Sequence, residues 1–181
     1  MLKSWMIYLC FAFQIGFLGW LIFQNENVKQ NGKAYRFLLT IPEKISDDNA
    51  EQYQNRLIFR DEKIAAKSFK TEWQQPFYIK LTEDNNGFAM PVSTSNNCKE
   101  NGFLKVKQFG LQQDSLDYQI VNFRYSFDDF YLKEGNLQKA NRALRKALAN
   151  GKSKAWMEVR IKGCRAIPTG IFVDGKPLQY K

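Results

Sequence analysis

An uncharged, strongly apolar run near the start of the chain limits its fold more than any other feature. The 19 residues from Trp5 to Phe23 carry no charge, and Gln14 is the only plainly polar side chain among them. At about 1.5 Å of rise per residue, such a helix spans most of a roughly 30 Å hydrocarbon core. A signal peptide needs a shorter apolar run and a cleavage site of small residues, which Leu21-Ile22-Phe23-Gln24-Asn25-Glu26 does not provide. The run predicts a retained transmembrane anchor over residues 1–24.

The charges beside the apolar run set its expected orientation. Lys3 and the amino terminus precede the run, whereas Glu26 follows it before the first downstream lysine. Because cytoplasmic flanks carry the excess of positive charge, a cytoplasmic amino terminus is favoured. We therefore expect a polar linker over residues 25–33 and an extracytoplasmic domain over residues 34–181.

The remaining residues alternate between short apolar runs and turn signals. Leu57–Phe59 is a short apolar run. Expected strands are Tyr35–Ile41, Pro76–Thr82, Phe88–Val92, Phe103–Phe109, Tyr118–Arg124, Lys154–Lys162 and Ala166–Val173. The run Glu83–Gly87 is a turn signal that predicts a hairpin. Apolar residues at helical spacing predict one amphipathic helix from about Asn136 to Ala149. The predicted fold class is mainly β (α+β): an antiparallel β domain with one amphipathic helix, preceded by a single N-terminal transmembrane helix.

Positive charge is concentrated in one part of the chain. Between Lys133 and Arg165 there are ten Lys or Arg and two acids, a local charge of +8 out of +9 for the whole chain. This part holds an expected interaction surface made of Lys139, Arg142, Arg145, Lys146, Arg160, Lys162 and Arg165. Such a surface suits an anionic membrane, an acidic partner protein or nucleic acid, and a solvated face is the simplest alternative. A domain outside the cytoplasm has no access to nucleic acid, so an extracytoplasmic location excludes nucleic acid as the partner.

The side-chain inventory excludes most catalytic chemistries. Histidine is absent, which removes the Ser-His-Asp and Cys-His systems and the commonest metal ligand. The carboxylates Asp128, Asp129 and Glu134 lack the spacing of a calcium loop and are typical of acids near the start of a helix. A Ser-Lys dyad needs no histidine, but the serines lie in polar surroundings without an apolar setting for a lysine. We therefore expect no enzyme activity, no metal and no cofactor.

Two cysteines of the expected domain lie near turn sequences. Cys98 follows Asn96-Asn97, and Cys164 follows Gly163. An oxidising compartment would allow them to pair, but nothing in the sequence sets their separation. A disulfide between them is left open at this point.

The run Tyr125–Glu134, followed by a helix and by a hairpin that ends in Gly170–Lys176, resembles the C-terminal half of the GDYXXLXY membrane-anchored proteins. The matching positions in these runs are Phe130, Tyr131, Glu134, Asp174 and Gly175. The motif that names the family would fall near Glu51–Phe59. Tyr53, Leu57 and Phe59 match it with one extra residue between them, and its Gly-Asp is absent. Asp129 and Asn141 replace the usual Arg and Glu, so the chain resembles a divergent member.

The resemblance implies a location and a class of partner. Family members are bacterial, with an N-terminal membrane helix and an extracytoplasmic β-rich domain. They are often encoded beside a multi-spanning membrane protein, and their biochemical function is unassigned. For this chain the resemblance implies the bacterial inner (cell) membrane, with the main domain periplasmic.

These observations lead to three expectations for function. The first is a non-enzymatic, membrane-anchored accessory subunit or binding module for another envelope protein. The alternative is a small-molecule or lipid-binding β domain, whose pocket would be lined by residues such as Phe77, Phe88 and Phe123. The third is a membrane-anchored Ser-Lys hydrolase. A membrane-protein partner is expected, and the sequence does not predict whether the chain forms homo-oligomers.

Overall fold

The chain folds into one long N-terminal helix followed by a β-rich domain. The computed structural model describes residues 2–40, 57–67, 76–99, 102–113, 118–127, 136–149 and 151–178. Helix α1 is Leu2–Asn31, and helix α2 is Asn136–Leu148. The strands are β1 Lys33–Thr40, β2 Ile58–Phe59, β3 Lys63–Lys67, β4 Pro76–Glu83, β5 Ala89–Ser95, β6 Phe103–Gln113, β7 Tyr118–Tyr125, β8 Ala155–Lys162, β9 Arg165–Val173 and β10 Lys176–Pro177.

The strands form two antiparallel sheets of five strands each. The first sheet has the order β10-β9-β8-β1-β2, and the second has the order β3-β7-β6-β4-β5. In the first sheet Lys33 lies opposite Ile161 and Leu38 opposite Trp156, so β1 leaves α1 while β8 returns towards it. The expectation of a mainly β fold with one amphipathic helix, after an N-terminal apolar helix, is confirmed.

The inward faces of the two sheets share one core. Side chains of β8 alternate between buried and half-buried, which is the pattern of a strand with one face in the core. Tyr35, Phe37 and Leu39 bring the same alternation to β1. The second sheet adds apolar side chains that are at most 1% exposed: Phe77, Ile79, Leu104, Val106, Val121, Phe123 and Tyr125.

Four aromatic rings join the sheets and are called here the aromatic cluster: Phe37, Phe59, Tyr125 and Phe127. Their ring centroids lie between 4.9 and 6.2 Å apart, mostly in edge-to-face contacts. The hydroxyl of Tyr125 donates a hydrogen bond of 2.6 Å to the carbonyl oxygen of Asp61. Burial raises the pKa of Tyr125 well above its usual range, so the phenol keeps the proton that it donates.

The predicted β4–β5 hairpin is present, and Asp84 organises its turn. The carboxylate oxygen Oδ1 of Asp84 accepts hydrogen bonds from the backbone N–H groups of Asn86 and Phe88, each 2.9 Å long. Arg60, which follows β2, donates to the other carboxylate oxygen at 3.2 Å. The bond from Phe88, with those from Asn86 and Arg60, lowers the pKa of Asp84.

The described elements differ from the expectation in several places. The segment expected as a polar linker is helical up to Asn31, and β1 begins at Lys33. Strand β2 lies in a segment expected only as a short apolar run, and β10 was not predicted. Strand β3 was not predicted, since its Lys-Ile-Ala-Ala-Lys sequence has weak strand propensity and gains its form by pairing with β7. Strand β6 extends to Gln113, past a register shift between Gln108 and Gly110.

Truncating the centre of the aromatic cluster should strongly destabilise the domain. We expect Phe37→Ala to lower the free energy of unfolding by about 3–5 kcal/mol, because a fully buried ring leaves a cavity. Val92, which is 45% exposed, offers a control. Val92→Ala should change the same free energy by no more than about 0.5 kcal/mol in chemical denaturation. Equal effects of the two variants would contradict the central role of Phe37.

Candidate functional site

The first part of α1 exposes its apolar side chains on every side. Within the described residues, one helix is long and apolar enough to cross a membrane, a property that an anchor shares with a signal sequence. Phe13, Ile15 and Phe23 are 77%, 69% and 68% exposed. The described part of the domain therefore leaves this surface uncovered.

The last turns of α1 pack against the domain at a tight junction. Val28 is 5% exposed, and its carbonyl oxygen accepts a hydrogen bond of 2.8 Å from the N–H of Gly32. A Cβ atom at Gly32 would lie 2.4 Å from that oxygen and 3.1 Å from the backbone nitrogen of Ile161. Glycine is required here because helix and sheet backbones approach too closely for any side chain.

Three cations of β8 and β9 face the end of α1. Lys162 donates from Nζ to the side-chain oxygen of Asn27 at 2.9 Å. Arg165 donates from Nη1 to the side-chain oxygen of Gln24. Arg160 donates from Nη1 to the carbonyl oxygen of Gly32 at 3.3 Å. The end of α1 and the β8–β9 hairpin thus form one surface, called here the junction surface.

The turn of that hairpin is held by a disulfide. Gly163 and Cys164 have φ angles of 54° and 62°, so both central residues of this two-residue turn are left-handed. Cys164 is bonded to Cys98, with their Cα atoms 6.0 Å apart. The pairing that the sequence left open is therefore present, and it joins the segment after β5 of the second sheet to the first sheet.

Helix α2 presents the other predicted cations on a separate element. Its apolar face is buried through Ala140 and Leu144, while Lys139, Arg142 and Lys146 are exposed and Arg145 is half-buried. After α2 the chain enters β8 at Ala155, and the junction surface lies at the other end of this strand. Eight residues of strand extend over about 23 Å. The predicted cations thus lie on different elements, namely α2 and the β8–β9 hairpin that carries the junction surface.

Among the residues that match the family motif, those that the structure describes lie either in the core or in a turn. Leu57 and Phe59 are 1% and 3% exposed and belong to the core. Asp174 and Gly175 form the turn between β9 and β10, with φ angles of 49° and 82°. The remaining positions of interest lie outside the described residues: Tyr53, Asp128, Asp129, Phe130, Tyr131 and Glu134.

Asp174 also ties the end of β9 to the start of β8. Its Oδ1 accepts a hydrogen bond of 2.8 Å from the N–H of Lys154, and its own N–H donates to the carbonyl oxygen of Lys154 at 2.9 Å. The bond from the Lys154 N–H, followed by one from Ser153, lowers the pKa of Asp174. This carboxylate acts as a structural acceptor.

Neither a metal site nor a Ser-Lys dyad emerges from the described residues. They contain no group of three or more Cys, Asp or Glu side chains that could hold a metal ion. Every lysine whose side chain the structure describes is exposed, apart from the half-buried Lys162, which contacts Asn27. A catalytic lysine needs desolvation, and these lysines lack it.

The junction surface includes residues that sequence reasoning missed. Gln24, Asn27 and Gly32 were assigned to a polar flank and linker, because they continue no apolar pattern. Gln24 and Asn27 lie three residues apart and therefore share one face of a helix. That spacing, with Val28 beside it, was the available signal for a helix that continues past the apolar run.

A comparison of the chain with protein-family models, with curated proteins and with solved structures found no match in any of the three.

Removing the disulfide should lower stability by a large amount. The bond closes a loop with a sequence separation of 66 residues. The double variant Cys98→Ser/Cys164→Ser should lose about 4 kcal/mol of unfolding free energy, because the unfolded chain regains that loop entropy. Cys10 is free, so Cys10→Ser is the control and should behave as the parent protein. Identical denaturation curves before and after reduction would contradict the bond.

The carboxyl of Asp174 should make stability depend on pH in the acid range. Its folded pKa lies below the ordinary value of about 3.9, so the unfolded state binds the proton more tightly. The stabilisation is fully present above the ordinary value and is lost as pH falls through the lowered folded pKa. An NMR titration of the carboxyl carbon should give this lowered pKa directly. Asp174→Asn keeps the acceptor oxygen without titrating, so its stability should fall less steeply below about pH 4.

Proposed function

We propose that this protein is a single-pass, membrane-anchored, non-enzymatic domain that serves as accessory subunit or binding module for another protein of the bacterial cell envelope. In this proposal α1 spans the inner membrane with its amino terminus in the cytoplasm, and residues 34–181 are periplasmic. The chain would be a divergent member of the GDYXXLXY family. The observation that carries the proposal is a helix whose apolar first part is exposed and which passes into β1 after a single residue.

The exposure of α1 supports a role as anchor. Large apolar side chains such as Trp5 and Phe13 are 71% and 77% exposed, on a helix that is apolar all round. Apolar surface on this scale is unfavourable in water and is typical of a membrane segment or an interaction surface. Lipid is the medium that accepts a helix of this length and composition without further partners.

The disulfide supports the proposed side of the membrane. Bonds of this kind persist in the periplasm and other oxidising compartments and are rare in the reducing cytoplasm. The bond between Cys98 and Cys164 lies in the domain that follows α1, whereas the free Cys10 lies within the apolar helix. This distribution agrees with a cytoplasmic amino terminus.

Helix α2 supports a role in protein binding. It buries one face in the core and exposes Lys139, Arg142 and Lys146 on the other. In the described residues none of these three cations forms an ion pair with a carboxylate. A rigid helix with unneutralised positive charge suits a complementary acidic surface, which would guide association and exclude other partners.

The packing of the expected pocket residues gives little support to the ligand-binding alternative. Phe77 and Phe123 are at most 1% exposed, and their ring centroids are 6.3 Å apart in an edge-to-face contact. Phe88 packs instead against Trp156, with centroids 6.0 Å apart. The three rings contact neighbouring side chains and do not converge on one space.

Isolation of the full-length protein from its native membrane tests the proposal. The protein should resist alkaline carbonate extraction and copurify in fixed stoichiometry with one membrane protein after mild detergent solubilisation. Arg142→Glu/Lys146→Glu should reduce the retained partner by about tenfold or more, which corresponds to about 1.4 kcal/mol of binding free energy.

A matched charge reversal elsewhere serves as the control. Lys105 and Lys107 are exposed on β6, so Lys105→Glu/Lys107→Glu changes the net charge equally on a different surface. This variant should retain the partner. A protein that is found only as a free monomer, with or without the substitutions, would contradict a role as accessory subunit.

A further inference from the structure

The tip of the β8–β9 hairpin lies beside the first polar residues after the apolar run. Phe23 ends that run, and the contacts of Arg165 and Lys162 are with Gln24 and Asn27. From Gln24 to Asn27 a helix rises by about 4.5 Å. The headgroup layer on each side of a bilayer is roughly 5–7 Å thick. With Phe23 at the edge of the hydrocarbon core, both cations reach the layer that holds the lipid phosphates.

We propose that Lys162 and Arg165 form a binding site for the phosphate groups of anionic phospholipids in the leaflet at this end of α1. This inference rests on the proposed function, because it requires α1 to span a membrane. It adds a lipid contact that is separate from the protein-binding role of α2.

The charges of the junction surface favour these two residues over their neighbours. Two other cations nearby are neutralised, since Lys29 lies 3.6 Å from Glu26 and Lys33 lies 2.9 Å from Glu83. Lys162 and Arg165 instead contact side-chain amides, which carry no net charge. Within the described residues neither has a carboxylate at ion-pair distance. Two positive charges therefore remain available to an anion.

The donors of these side chains also remain available. An ammonium group has three N–H donors and a guanidinium group has five. The contacts with Asn27 and Gln24 each use one donor and hold the charged groups at the polar end of α1. Phosphate oxygens accept such charge-assisted hydrogen bonds, and guanidinium binds them in pairs.

The backbone that carries the two cations is held in place. Lys162 and Arg165 flank the two-residue turn of Gly163 and Cys164 and lie opposite each other in the register of β8 and β9. The bond from Cys164 to Cys98 joins the turn to the second sheet. A site built on a cross-linked turn loses little conformational entropy when a headgroup binds.

A purely structural role for these cations is less consistent with the contacts. The carbonyl oxygens at the end of a helix attract positive charge, and Arg160 already serves this purpose by donating to the carbonyl oxygen of Gly32. Lys162 and Arg165 reach side chains farther back along α1, on the side of the apolar run.

The test uses the full-length protein reconstituted in phosphatidylcholine vesicles with spin-labelled lipid probes. Electron paramagnetic resonance gives the fraction of each probe that is immobilised by the protein. Spin-labelled phosphatidylglycerol should associate severalfold more than spin-labelled phosphatidylcholine at low ionic strength, and added salt should reduce this preference. Lys162→Gln/Arg165→Gln should bring the ratio close to one, because it removes both charges that attract the anionic headgroup.

The control removes the same charge from the far end of the hairpin. Lys154 and Lys176 are exposed, and Lys154 lies about 26 Å along the strand from Lys162. Lys154→Gln/Lys176→Gln should keep the lipid preference. Arg165 is exposed, so the single variant Arg165→Gln should fold and lose part of the preference even if the double variant unfolds.

Two results would overturn the site. One is a parent protein without preference for phosphatidylglycerol, and the other is an equal loss in the hairpin and control variants. Alkaline carbonate extraction of the same vesicles separates the two proposals. Protein that stays in the membrane without lipid preference disproves the headgroup site alone, whereas protein released by carbonate disproves the anchor as well.

Discussion

The close approach of two backbones at Gly32 is the constraint on which the arrangement of the molecule depends. The carbonyl oxygen of Val28 and the backbone nitrogen of Ile161 leave no room for a Cβ atom between them. Because one residue separates α1 from β1, the apolar helix and the first sheet are joined without a spacer. The hydrogen bonds from β8 and β9 to the side chains of α1 then hold the helix against the hairpin.

Two further connections hold the sheets together around this junction. The aromatic cluster fills the core with rings from both sheets, and its rigid edge-to-face contacts favour a single packing arrangement. The disulfide from Cys98 to Cys164 joins the sheets again beside the end of α1. The hairpin turn that faces the apolar helix is therefore supported from both sheets, and this support gives the cations of the junction surface a defined position.

Local patterns predicted much of the domain. The alternation of Phe77, Ile79 and Leu81 and the turn around Asp84 identified the β4–β5 hairpin, and the stripe on α2 identified that helix with its exposed cations. Pairing between distant segments could not be predicted. Strand β3 exists because β7 pairs with it, and the last turns of α1 are stabilised by a hairpin more than a hundred residues later. The spacing of Gln24 and Asn27 is compatible with one helix face, but it does not identify the residues that this face contacts.

The direct passage from α1 into β1 has a consequence for how the domain would meet a neighbour in a bilayer. A tethered domain with a flexible stalk explores a wide volume and must lose that freedom on binding. Here the tilt and rotation of α1 would determine the orientation of the two sheets relative to the membrane. If α1 spans a bilayer as proposed, encounter with a second membrane protein would be reduced to lateral diffusion and rotation about one axis. In that case fewer degrees of freedom would be lost on association, and a small contact area would be enough to hold a complex together.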